Sequence, residues 1–225
     1  MTEEAKTEAV EARVLDSRPG LLGRLIARPA FWIAIVTALV LTPLAAAVSR
    51  TAPKPPPVLL ELPSFRYTNE KNVPFGTEEL RGKVWVASFA FTSCPIVCPK
   101  LMEKLAVVQH RTRNAGPGVH IVTFSVDPEN DTPEKLASYA RRFKASPYRW
   151  NFLTGDLAAI EATVIKGFKL AMGKDAENLF QVFHSERFAL VDQRGGIRGY
   201  YEADQPGIDR MVRDIGLLLN DLGAQ

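Results

Sequence analysis

Two apolar, β-rich runs bracket an amphipathic helix, and this triplet restricts the fold more than any other feature of the chain. "KVWVASFAF" (83–91) and "VHIVTFSVD" (119–127) read as buried strands. Between them, residues 98–114 place Leu101, Leu105 and Val108 on one helical face. Downstream, Thr132 and Pro133 open a helix over 132–143 as N-cap and first helical residue. "WNFLTG" (150–155) is a short strand and loop, and Asp156 caps a helix over 156–168. Residues 187–192 and 197–201 form a hairpin across the turn "QRGG", and 206–222 closes the chain as an amphipathic helix. Strand–helix–strand followed by helix–hairpin–helix predicts an α/β architecture with a mixed sheet, the order found in a thioredoxin-like fold.

The amino-terminal quarter is different in kind. Residues 1–28 are polar and read as a tail on the cytoplasmic side, and residues 29–49, "PAFWIAIVTALVLTPLAAAVS", carry no charge. Twenty-one uncharged residues match the roughly 20 that cross a bilayer as a helix, and Trp32 sits where an interfacial aromatic belongs. The run is expected to be an N-terminal transmembrane anchor. A cleaved signal peptide is the alternative, because "LTPLAAAVS" holds small residues in an A-x-A arrangement. Both readings send the remainder across a membrane, with Arg24 and Arg28 holding the tail inside. Four prolines between 53 and 57 make 50–58 a semi-rigid spacer, and 59–225 the exported domain. The acid-containing segment before the anchor does not resemble a Ser- and Arg-rich transit peptide, which favours an inner membrane with the domain in the periplasm over a mitochondrial intermembrane space. A net charge of +3 without a basic, aromatic-interleaved stripe gives no support to nucleic-acid binding.

The chemistry concentrates in "FAFTSCPIVCPKLMEKL" (89–105), which holds both cysteines of the chain, Cys94 and Cys98. Two cysteines are too few for a disulfide scaffold. They lie where a buried strand ends and a helix begins, and a helix amino terminus favours thiolate over thiol. Spacing i, i+4 places both sulfurs on one side of a helical turn, able to meet each other or one shared atom. Of the three histidines, His110 is expected on a solvated helix face and His120 at the opposite sheet end. His184 precedes the hairpin and is placed to approach the cysteines, although a hydrogen-bonded loop histidine explains it equally well. Two thiolates with one imidazole would suit copper, whereas zinc usually takes a fourth ligand. A redox-active pair Cys94, Cys98 remains the competing reading, with C-x-x-C the commoner spacing for that role. A peroxiredoxin-type site would need Pro at 87 and Thr at 91, where the chain has Ala87 and Phe91. Met102 reads as core, Tyr200 and Tyr201 as hairpin residues on alternate sides, and the charges at 140–144 as a solvated helix face.

Four blocks in order resemble the Sco/SenC family of copper chaperones: "SCPIVCPKLM", "FSVDPENDTPEKLASYARRF", "NFLTGD" and "FHSERFALVDQRGGIRGYY". The resemblance covers about 160 residues, nearly all of 59–225. It implies a thioredoxin-like fold, copper as the bound ion, Cys94, Cys98 and His184 as its ligands, and cytochrome c oxidase subunit II as the recipient, with other copper carriers as further partners. A thiol–disulfide oxidoreductase that keeps the recipient's cysteines reduced is the alternative activity. Asp127 and Asp131 also match family positions, although turn and cap chemistry accounts for both.

Overall fold

The computed structural model describes residue 26 and residues 28–48, 53–170 and 187–222. The chain divides into two compact units, Met1–Pro53 and Lys54–Gln225. In the first unit, helix α1 spans Pro29–Val48 and contains Pro43. Its described side chains are largely solvent-facing, with Ile33 65% and Leu39 72% exposed. Thr42 Oγ1 donates to Ala38 O at 2.6 Å, so its hydroxyl is satisfied inside the helix. Among the described residues no helix is long and apolar enough to cross a membrane. The side chains of α1 are described only to residue 43 and at residue 45, short of the end of its backbone.

The second unit is built on one eight-stranded sheet. The strands are β1 (Leu60–Glu61), β2 (Arg66–Asn69), β3 (Pro74–Gly76), β4 (Val84–Ala90), β5 (Val119–Ser125), β6 (Trp150–Thr154), β7 (Arg187–Val191) and β8 (Gly196–Glu202). The helices are α2 (Thr77–Leu80), α3 (Val97–Arg111), α4 (Pro133–Arg142), α5 (Leu157–Ala162) and α6 (Gln205–Leu222). The spatial order is β1-β8-β7-β4-β5-β6-β2-β3. Strands β4, β5 and β6 run parallel, and β7 and β2 flank them antiparallel. The α/β expectation with a mixed sheet therefore holds. The 59–82 segment, which has no sequence pattern of its own, supplies three short strands and α2.

Alternation along β4 explains its central place. Val84, Val86 and Ala90 enter one core with Cys98, Leu101, Met102 and Leu105 of α3, Leu136 and Tyr139 of α4, and Ile208 and Met211 of α6. Trp85, Ala87 and Phe89 enter the other, with Phe65, Phe75, Ile160, Val164 and Phe168. A strand buried on both faces needs helices or hairpins on both, and this chain provides them. Tyr200 packs against the second core and Tyr201 lies in the first, as their alternation predicts.

The helices depart from their sequence-based bounds at the ends. The α3 helix starts at Val97 and gives way to a 3-10 turn over Arg113–Gly118. The α5 helix relaxes into a π turn over Thr163–Gly167. In the hairpin, Gly195 adopts φ +91, a conformation that side chains rarely enter.

The edge near the spacer is tied down. Arg198 donates from Nε to Asp192 Oδ2 and from a terminal nitrogen to Pro56 O, both at 2.6 Å. Leu59 N reaches Ile197 O at 2.8 Å, and β1 then pairs with β8. The first residues of the domain thus enter at the sheet end opposite the carboxyl end of β4.

At that same far end His120 is buried. Its Nε2 donates to Asn151 Oδ1 at 2.8 Å, and Asn151 in turn donates to Glu70. Burial first, and then nearby positive charges on Lys83, Arg149 and Lys71, bring the imidazole down from 6.5 to about 4, against the hydrogen bond to Asn151. The unfolded chain therefore takes up a proton at higher pH than the folded one. Stability is full above pH 6.5 and falls as pH drops toward 4, by on the order of 3 kcal/mol over that window. Urea midpoints measured across the window should show this slope in the wild type and lose it in His120→Gln.

Candidate metal centre

The cysteine loop follows the carboxyl end of β4 and runs into α3. The chain turns at residues 92–96, where Cys94 N donates to Phe91 O at 3.3 Å, and becomes helical only at Val97. Cys98 is the second residue of the helix, and Pro99 the third, where a missing N–H costs nothing. Cys94 lies outside the helix. The expected i, i+4 turn is thus replaced by a loop that folds Cys94 back over the helix start, with Cys98 N donating to Cys94 Sγ at 3.2 Å. The sulfur fills the role of a missing side-chain cap, since Ile96 at the cap position offers none.

The two sulfurs differ in environment. Both are free thiols; Cys94 is half-buried and Cys98 is 1% exposed. Burial opposes ionisation of Cys94, but N–H groups of Cys98, Ile96 and Val97, with the Cys98 thiol, outweigh it and lower its pKa. Burial pushes the Cys98 thiol up to about 12, with Cys94 and Asp131 adding to the effect against a donor from Phe91. An accessible thiolate-prone sulfur therefore sits over a buried neutral one.

Asp131 holds the loop in place. It is completely buried, and each carboxylate oxygen accepts from Thr92 N at 3.2 Å. Thr92 Oγ1 also donates to Oδ1, and Ser125 Oγ to Oδ2 at 2.6 Å. The residues two before Cys94 are thereby fastened to the end of β5. Asp127 does turn work, its carboxylate accepting from Asn130 Nδ2 at 3.0 Å and its carbonyl from Asn130 N and Asp131 N. Both aspartates therefore follow turn and anchoring chemistry here. Sequence reading had no access to the Thr92 partnership, which spans 39 positions.

The structure brings Cys94 and Cys98 together; His184 lies outside the described residues. His110 is exposed beside Arg113, and His120 is at the far sheet end. Met102 is fully buried core. Among the described residues, no group of three His, Cys, Asp or Glu side chains could hold a metal ion. Two soft sulfur donors are present, and they fit a thiophilic ion better than magnesium or calcium.

Comparison with known proteins bears on this arrangement. The SCO1/SenC family profile matches residues 57–220. The SCO1 protein homolog of Bacillus subtilis is 34% identical over 161 residues, spanning 71% of this chain and 83% of that protein. A solved structure of BsSco, a member of the Sco family of cytochrome c oxidase assembly proteins in which a disulfide switch has been identified, is 33% identical, with TM-score 0.64, covering 73% of this chain and 95% of that one. Arabidopsis thaliana ScoI, solved with copper bound, is 25% identical, with TM-score 0.59, covering 71% and 98%. The thioredoxin-like expectation agrees with these folds.

Proposed function

The chain belongs to the SCO1/SenC family, and on that premise we propose that it is a copper chaperone that carries one copper ion on Cys94, Cys98 and His184 and hands it to the dinuclear copper site of cytochrome c oxidase subunit II. The observation that carries the reading is the sulfur pair: two reduced cysteines joined by the 3.2 Å Cys98 N to Cys94 Sγ contact, one accessible and one buried. A carrier needs an entry donor that incoming copper can reach, and Cys94 provides it. It also needs a second donor shielded from water, and Cys98 provides that. Both sulfurs bind as thiolates, so loading releases protons. His184 is the third ligand in this reading, completing a soft set suited to Cu(I).

The uncharged run 29–49, which extends past the described side chains of α1, is the membrane anchor in this account. As a helix, the roughly 20 residues needed to cross a bilayer would span ~30 Å at 1.5 Å per residue. The domain then faces the periplasm.

A thiol–disulfide reductase is the second reading, favoured by the same asymmetry of the thiols. Cys94 would attack as the thiolate and Cys98 would resolve the mixed disulfide. One titration separates the two activities. A chaperone binds one Cu(I) per chain when reduced, binds none when the pair is oxidised, and turns over few disulfides without metal. Many metal-free turnovers with no stoichiometric copper would make the reductase reading primary.

A further inference from the structure

Ile96 lies between Cys94 and Cys98 in the chain and is 63% exposed. Among the described residues of the second unit no other large aliphatic side chain is so open; Leu59 and Val73 follow at 51%. Pro95 beside it is also exposed. A single exposed apolar residue is ordinary on a protein surface. This one stands where the fold asks for none. It occupies the cap position of α3, where Ser, Thr, Asp and Asn are favoured. Cys98 N already donates to Cys94 Sγ, and Pro99 has no N–H to offer, so a side-chain cap has little to bind there. Residue 96 is thereby released from capping, and its exposure leaves it only a small share in the core. Neither local structure nor packing accounts for an isoleucine.

A second feature begins on the other side of Cys94. Thr92 and Ser138 line a shallow depression over the buried Tyr139 ring, with Glu134, Lys135 and Arg142 exposed around it. Lys135 and Arg142 outnumber Glu134 and stand two helical turns apart, ~10 Å along α4. Lys135 Nζ donates to Asn130 O at 2.7 Å, and the Arg142 guanidinium lies 5.4 Å from the centre of the Phe143 ring. Neither contact neutralises a charge, so both cations suit the carboxylates of a partner.

Copper passes between sulfur sites by ligand exchange, with the recipient's donors on the metal before the carrier's have left. Each bond formed to a recipient cysteine replaces one to Cys94 or Cys98; the metal stays Cu(I), and the freed thiolates take up protons from water. Cys94 is the more accessible sulfur, so a recipient that reaches it covers the residues on either side. We propose that Pro95, Ile96 and the α4 depression form the docking surface for the copper recipient, whose contact face is apolar beside its copper ligands and carries carboxylates opposite Lys135 and Arg142. The inference rests on the copper reading above and adds what the recipient must present. Apolar burial holds the two sites together, and charge steers their approach.

The test follows Cu(I) transfer from the loaded full-length chain to copper-free cytochrome c oxidase subunit II of the same organism, over a range of subunit II concentrations. Ile96→Ser should raise the half-saturating concentration about tenfold, as expected for losing a buried aliphatic side chain, and keep the limiting rate. Arg142→Glu should raise it too. Added salt should raise it in the wild type and much less in Arg142→Glu. Val73→Ser, in the turn between β2 and β3, is the control and should change neither parameter. Wild-type half-saturation in both Ile96→Ser and Arg142→Glu overturns the docking surface alone. A slower limiting rate in Ile96→Ser at unchanged half-saturation also overturns it, since the side chain would then act on the copper site itself. A wild type that holds copper and delivers none to subunit II removes the recipient named above, and this surface with it.

Discussion

Cys98→Ser is expected to abolish stoichiometric Cu(I) binding while leaving the fold in place. The side chain is 1% exposed, in the core that also holds Leu101, Met102 and Leu105, and serine is no larger than cysteine, so it fits the space. The contact that folds Cys94 over the helix start uses the Cys98 backbone N–H, which serine retains. What is lost is the buried soft donor. A neutral hydroxyl is a hard, weakly acidic ligand with little affinity for Cu(I). Loss of metal-supporting outer-shell residues alone lowers affinity about 10–100-fold, and removal of a ligand should exceed that. Competition with a Cu(I) chelator measures the affinity, and circular dichroism checks the fold. Near-wild-type copper binding by Cys98→Ser would remove this sulfur from the site.

Asp131→Asn is expected to destabilise the domain by about 3–5 kcal/mol, in the range for breaking a buried charged network. Every hydrogen bond to the Asp131 carboxylate comes from a donor: Thr92 N, Thr92 Oγ1 and Ser125 Oγ. Asparagine offers one acceptor oxygen and turns an NH2 group toward the remaining donors, so at least one buried donor is orphaned. The strand and helix on either side of the cysteine loop have their own packing, and the loop itself has few other ties. Copper affinity should therefore fall together with stability. The urea midpoint gives the stability loss, and a shift under about 1 kcal/mol would contradict an anchoring role.

The parts of the fold that could be read from sequence are those with internal signals. β4 and β5 are long apolar runs. The α4 helix is announced by Thr132, whose side chain accepts from Lys135 N, and α5 by Asp156, which accepts from Ala159 N at 2.8 Å. β1, β2 and β3 are two to four residues long, and their register comes from pairing with β8, with β6 and with each other. No local pattern encodes such partners. At the site, the cysteine spacing pointed to convergent sulfurs for a partly different reason than the one observed. A helical turn was expected to align them, whereas a loop capped by sulfur does so.

The central claim is a three-ligand copper site, and its third ligand is tested by titrating Cu(I) into the reduced full-length wild type and His184→Ala under chelator competition. One copper per wild-type chain is expected, with affinity in His184→Ala lowered by more than about hundredfold. Equal affinity in the two proteins would contradict the account.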